Sequence, residues 1–126
     1  MKLLPKDPPR RFFVGGGVKF DMKDCGSLVL NSDEQITLVT DKGAEYDVAR
    51  KDWGFYATPS LNGRLEQFGL RAVLIKNRET GRYFVLLVES GYEPAFDTYC
   101  GQENLEVITW LDSTQVLDQL AEKVKP

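Results

Sequence analysis

The run Tyr83-Phe84-Val85-Leu86-Leu87-Val88 has no polar position to turn toward water. In an extended chain, successive side chains point to opposite faces, so a run apolar on both faces demands cover on both. The run therefore predicts a strand in the middle of a sheet, with Leu86 as a core position. Leu70 to Lys76 reads as a second strong strand, and Arg78-Glu79-Thr80-Gly81 supplies the turn between them.

Shorter strands precede this pair. Arg11-Phe12-Phe13-Val14 and Val18-Lys19-Phe20 flank Gly15-Gly16-Gly17, and Gly26 to Leu30 sets Leu28 and Leu30 on one side before the turn Asn31-Ser32-Asp33. Gln35 to Thr40 follows, and Asp41-Lys42-Gly43 is a hairpin whose Gly takes positive φ. Ala44, Tyr46 and Val48 alternate with Glu45, Asp47 and Ala49, and after a break at Arg50-Lys51-Asp52 the alternation resumes with Trp53, Phe55 and Ala57 toward the core, up to Pro59.

The covering layer is predicted after Glu89. Ser90 and Glu93 have capping-box spacing, Pro94 suits a first helical turn, and Phe96, Tyr99 and Cys100 form a stripe closed by Gly101. Leu105 to Leu111 returns as a strand, and Asp112 with Gln115 starts a helix with Val116, Leu117, Leu120 and Val124 on one face. The order predicts an α+β fold: an antiparallel or mixed, strongly twisted sheet, with two C-terminal helices packed on one face. A bent sheet approaching a barrel is the alternative. Residues 1–10, with Pro5, Pro8 and Pro9, read as an irregular basic tail, and 11–126 as a single domain.

The chain of 126 residues contains no histidine, which removes the commonest neutral-pH base and metal ligand. No cofactor or metal is expected. A net charge of −3 argues against an electrostatically driven nucleic-acid binder, although Lys2, Lys6, Arg10, Arg11 and Lys19 make the first stretch basic. No leader-like or membrane-length apolar run is visible, so a cytoplasmic location is expected. Cys25 and Cys100 lack C-x-x-C spacing and are expected to be free thiols. Gly15-Gly16-Gly17 lacks the Lys-Ser/Thr ending and following helix of a phosphate loop, and reads as a turn.

The segment from Glu45 to Leu65 is the densest in recognition chemistry. Arg50, Lys51 and Arg64 can hold anionic groups, Trp53 or Tyr56 can stack, and Asp52 and Asn62 can hydrogen-bond hydroxyls. Asp47 with either Asp52 or Glu45 could form a paired-carboxylate acid/base site, and exposed strand carboxylates of this kind more often serve solvation.

Tyr46-Asp47-Val48, the run from Lys51 to Ser60 and Asn62-Gly63-Arg64-Leu65 resemble segments of small uncharacterised bacterial proteins associated with surface-polysaccharide biosynthesis. That resemblance covers about two thirds of the chain and carries no known activity; it implies a sugar or sugar-nucleotide ligand. The leading expectation is thus an accessory or binding protein with such a ligand. The rivals are a small histidine-free enzyme using Asp52 or Lys51 as base and Tyr56 as acid, and an interaction module that offers a sheet edge or helix to a partner protein or a homodimer mate.

Overall fold

The computed structural model describes residues 1–16 and 19–126. Gly17 and Val18, in the expected glycine turn and short strand, lie outside the described residues. The elements run β1 (Lys2–Val14), β2 (Phe20–Val29), β3 (Gln35–Val39), β4 (Glu45–Lys51), β5 (Gly54–Ala57), α1 (Arg64–Gln67), β6 (Leu70–Asn77), β7 (Tyr83–Glu89), α2 (Glu93–Glu103), β8 (Leu105–Trp110) and α3 (Thr114–Val124). The α+β class is as expected. The strands form three antiparallel sheets instead of one, ordered β1-β2, β3-β4-β5 and β7-β6-β8.

The expected irregular tail is the first correction. Residues 2–14 pair with β2 from Lys2↔Val29 to Val14↔Phe20, and the register breaks between Pro5 and Arg10, where Pro8 and Pro9 have no N–H to donate. Proline is tolerated because this is a two-stranded ribbon whose outer edges face solvent. Three of the basic residues have cross-strand partners: Asp24 meets Lys6 at 2.5 Å and Arg10 at 3.5 Å, and Asp21 meets Arg11 at 3.2 Å. Gly26 is required there, since its φ is +139° and a Cβ would sit 2.4 Å from the Leu4 carbonyl oxygen.

The second correction concerns the middle of the sheet. β6, not β7, is central, flanked by β7 and β8. Its Ala72, Val73 and Ile75 are buried, whereas Tyr83, Phe84, Val85 and Leu87 of β7 are exposed and Leu86 is half-buried. The apolar run is a sheet edge.

Strand alternation then divides the core in two. Val73 and Ile75 pack with Val88 and with Phe96 and Cys100 of α2. Leu70 and Ala72 point the other way, toward Ala44, Leu65 and Leu111, with Tyr46 and Leu117 of α3 against them. The two C-terminal helices therefore serve opposite faces of β6, not one. Between β3 and β4, Gly43 takes the expected positive φ, +92°.

Helix boundaries shift for local reasons. α2 starts after Tyr92, with the Glu93 carboxylate accepting from the Gly91 N–H at 2.6 Å, and it ends at left-handed Asn104, three residues past Gly101. α3 is capped by Ser113, whose hydroxyl accepts from the Val116 N–H at 3.3 Å. Asp112, the expected cap, is engaged by Arg71.

Candidate functional site

The Glu45–Leu65 segment contains a hairpin whose turn falls at the end of the expected break. Lys51 pairs with Gly54, so Asp52 and Trp53 form the turn, and Arg50 lies opposite Phe55 while Ala49 lies opposite Tyr56. Trp53 and Phe55, expected in the core, are 71% and 64% exposed. A two-residue turn places both beyond the reach of either core cluster.

The pleat separates the predicted ligand residues. Lys51, Ala49 and Asp47 share one face with Tyr56; Arg50, Val48 and Tyr46 share the other with Phe55. Arg50 and Lys51 thus face opposite ways. Lys51 is ion-paired to Asp33, whose hydrogen bond holds the ammonium pKa above its ordinary value. Asp52 accepts a short hydrogen bond from the Ser32 hydroxyl, so the Asn31-Ser32-Asp33 turn is buttressed by the hairpin tip.

Arg64 reaches the first of these faces. Its guanidinium lies 3.7 Å from the Asp47 carboxylate and over the Phe68 ring at 5.0 Å. Asp47 is buried and also accepts from the Thr37 hydroxyl at 2.5 Å. That carboxylate is satisfied by its own chain, as a structural ion is. Asn62 donates to the Thr114 hydroxyl at 3.0 Å and so anchors the loop before α1 to the start of α3. Among the described residues, the Nη1 of Arg50 is shielded from water without a hydrogen-bond partner.

Of the seven predicted residues, the structure gathers Lys51, Tyr56 and Arg64 along one face. It leaves Asp52 and Trp53 at the tip, Arg50 behind and Asn62 beside α3. Clefts of about 490, 320, 320 and 210 Å³ occur elsewhere, and none of the seven lines any of these four. Among the described residues, no cluster of three or more Cys, Asp or Glu side chains could hold a metal ion.

A denser polar cluster sits at the junction of β6, α2 and α3. Arg71 Nε donates to Asp112 at 2.5 Å, its Nη2 to the same carboxylate at 3.4 Å and its Nη1 to Glu93 at 3.3 Å. The guanidinium lies 4.1 Å from the Trp110 ring centre, and Trp110 meets Phe96 edge-on at 5.8 Å. Hydrogen bonds from its own backbone N–H and from Gly91, then Arg71, hold the Glu93 carboxyl below its ordinary pKa. Each charge is paired and the cation is stacked, so the cluster acts as a clamp between elements.

The surface that sequence reasoning missed is apolar. Tyr83, Val85 and Leu87 lie on one face of β7, and Leu87 shares the 210 Å³ cleft with Leu38, Tyr46 and Leu70. Leu38 is 55% exposed, Val85 58% and Tyr83 56%. On α3, Leu117 packs on the core, while Leu120 and Val124 remain exposed. The signal for this surface was the Tyr83–Val88 run itself, read as an inner strand. Comparison with protein-family models, curated proteins and solved structures gives no significant match. No helix among the described residues is long and apolar enough to cross a membrane.

Proposed function

We propose that this chain is a protein-interaction module that presents the apolar side of β7 and its neighbours to a partner. The supporting observation is surface. A compact chain of 14.3 kDa exposes about 6,800 Å², whereas this one exposes 8956 Å², an excess of about 2,200 Å². Part of that excess is the β1-β2 ribbon, and part is the row of uncovered apolar side chains on β7. Monomeric soluble proteins rarely leave such a row contiguous unless it meets something.

The sugar-nucleotide reading has less support, because it needs Arg50, Lys51 and Arg64 on one concave surface. The pleat turns Arg50 away, and Lys51 and Arg64 are spoken for by Asp33 and Asp47. An enzymatic reading needs a carboxylate or lysine held ready for proton transfer, and the buried Asp47 is instead committed to Thr37 and Arg64. Two free thiols accord with a reducing, cytoplasmic setting.

The test is binding of an environment-sensitive apolar dye to dilute native protein. Wild type should bind saturably, and the double variant Val85→Lys, Leu87→Lys should lose most of the signal while still unfolding cooperatively in urea. A native wild type that binds no dye refutes the proposal.

A further inference from the structure

An edge strand exposes unpaired backbone N–H and C=O groups, and stable proteins guard such edges with charge, proline, bulges or brevity. Of the other edges of the two body sheets, β5 is four residues long, β8 carries Glu106 and a register shift opposite Leu74/Ile75, and β3 is five residues long with the polar Gln35 and Thr37. β7 has none of these devices between Tyr83 and Val88: no charge, no proline, no glycine and an unbroken register with β6. Among the described residues, no strand pairs with its outer side.

We propose that the outer edge of β7 pairs with β7 of a second copy, antiparallel about a two-fold axis at Leu86, giving one six-stranded sheet. This rests on the interaction-module reading and names its partner. Opposed residues in an antiparallel pair must lie on the same face, so a two-fold axis perpendicular to the sheet permits only pairings of equal parity. The register centred on Leu86 satisfies that rule and uses the whole strand. Leu86 then faces Leu86 of the second copy, Val85 faces Leu87, Phe84 faces Val88 and Tyr83 faces Glu89.

Both faces of the seam are therefore apolar at the centre, where β-branched, aromatic and aliphatic pairs stabilise a sheet. At the ends, Arg82 of each copy faces Ser90 of the other, and Glu89 keeps its hydrogen bond from the Thr40 hydroxyl. The side chains that enter this seam are open to it, Tyr83, Phe84, Val85 and Leu87 being 56%, 49%, 58% and 37% exposed. A strand run that is apolar on both faces yet lies at an edge finds in a second copy the inner position that its composition demands.

Sedimentation of purified wild type from micromolar to near-millimolar concentration should show a mass rising from that of one chain to that of two. Val85→Lys, which puts an ammonium opposite Leu87 of the other copy, should raise the dissociation constant more than tenfold. In a Cys25→Ser background, Leu86→Cys should form an intermolecular disulfide with oxidised glutathione as oxidant, because the register sets residue 86 against itself; Phe84→Cys should not. Wild type that stays one chain in mass at every concentration overturns the self-pairing, and the dye experiment then decides the broader reading separately. A dimer that survives Val85→Lys, with no cross-link at position 86, overturns the β7 seam.

Discussion

Ile75→Ala and Leu86→Ala remove the same three carbon atoms from neighbouring strands, so their difference in cost measures where the sheet is buried. Ile75 is 1% exposed on central β6, in contact with the cluster that holds Val73, Val88, Phe96 and Cys100. Three buried carbons at about 0.8 kcal/mol each give about 2.4 kcal/mol of lost transfer energy. The cavity term, in a site closed by β7, β8 and α2, raises the expected loss to about 3–4 kcal/mol. Leu86 is half-buried on the edge, packed against that cluster from outside, and its truncation should cost about 1 kcal/mol. Urea unfolding followed by tryptophan fluorescence, at one dilute protein concentration, reads both. With a slope of about 1.5–2 kcal/mol per molar urea, Ile75→Ala should lower the midpoint by about 2 M and Leu86→Ala by about 0.5 M. A Leu86→Ala loss equal to or greater than that of Ile75→Ala would mean that β7 is the covered strand, and the strand order argued above would be wrong.

Asp112→Asn should destabilise by about 1.5–3 kcal/mol, because it weakens two charge-assisted bonds from Arg71 and leaves the cation clamped to Glu93 alone; a change below about 0.5 kcal/mol in the same urea assay would deny the clamp its role. Acid should destabilise the fold through carboxyls with lowered native pKa values. Asp24 is held down first by the Lys6 hydrogen bond and then by the Gly26 N–H, and Glu93 by backbone N–H groups and Arg71. Groups depressed in the folded state contribute stability that is full above their unfolded pKa, about 4, and lost as pH falls through the lower folded values. Melting temperature should hold from neutral pH down to about 5 and drop below about 4, and a Tm that stays flat through that range counts against both sites. Cys25 should react with a disulfide reagent in the native protein at least about tenfold faster than Cys100, whose thiol burial pushes up in pKa, with Asp97 adding to the shift. Equal native rates would place Cys100 outside the core.

Much of the strand and helix content was legible because it is written in local periodicity. The alternation from Ala44 to Ala49, the Asp41-Lys42-Gly43 turn and the apolar stripe from Phe96 to Cys100 depend only on neighbours in the chain. Rank within a sheet is not local. An apolar run such as Tyr83–Val88 looks the same whether its cover comes from its own chain or from elsewhere, and only the pairing of β6 with the distant β8 reveals that β7 is outermost. The ribbon escaped notice for a related reason. Pro8 and Pro9 argue against a strand, and the partners that reconcile them, Asp21 and Asp24, lie across the hairpin. At the candidate site, the residue types that suggested recognition were real, but strand parity decides which of them share a face. Arg50 and Lys51 are adjacent in sequence and opposite in space for that reason alone.

The strand order β7-β6-β8 also bears on how a ribosome delivers this protein. β6 can pair with β7 as soon as the hairpin between them is made, yet its second neighbour, β8, is complete only roughly twenty residues later, about 1–4 s at ordinary elongation rates. During that interval, the strand destined for the centre of the sheet has one bare flank, and α3, which covers one of its faces, is still to be made. A nascent chain paused there is a half-built sheet with two open margins, β6 and β7, and chaperone engagement should be strongest at that length. The finished fold closes only one of the two.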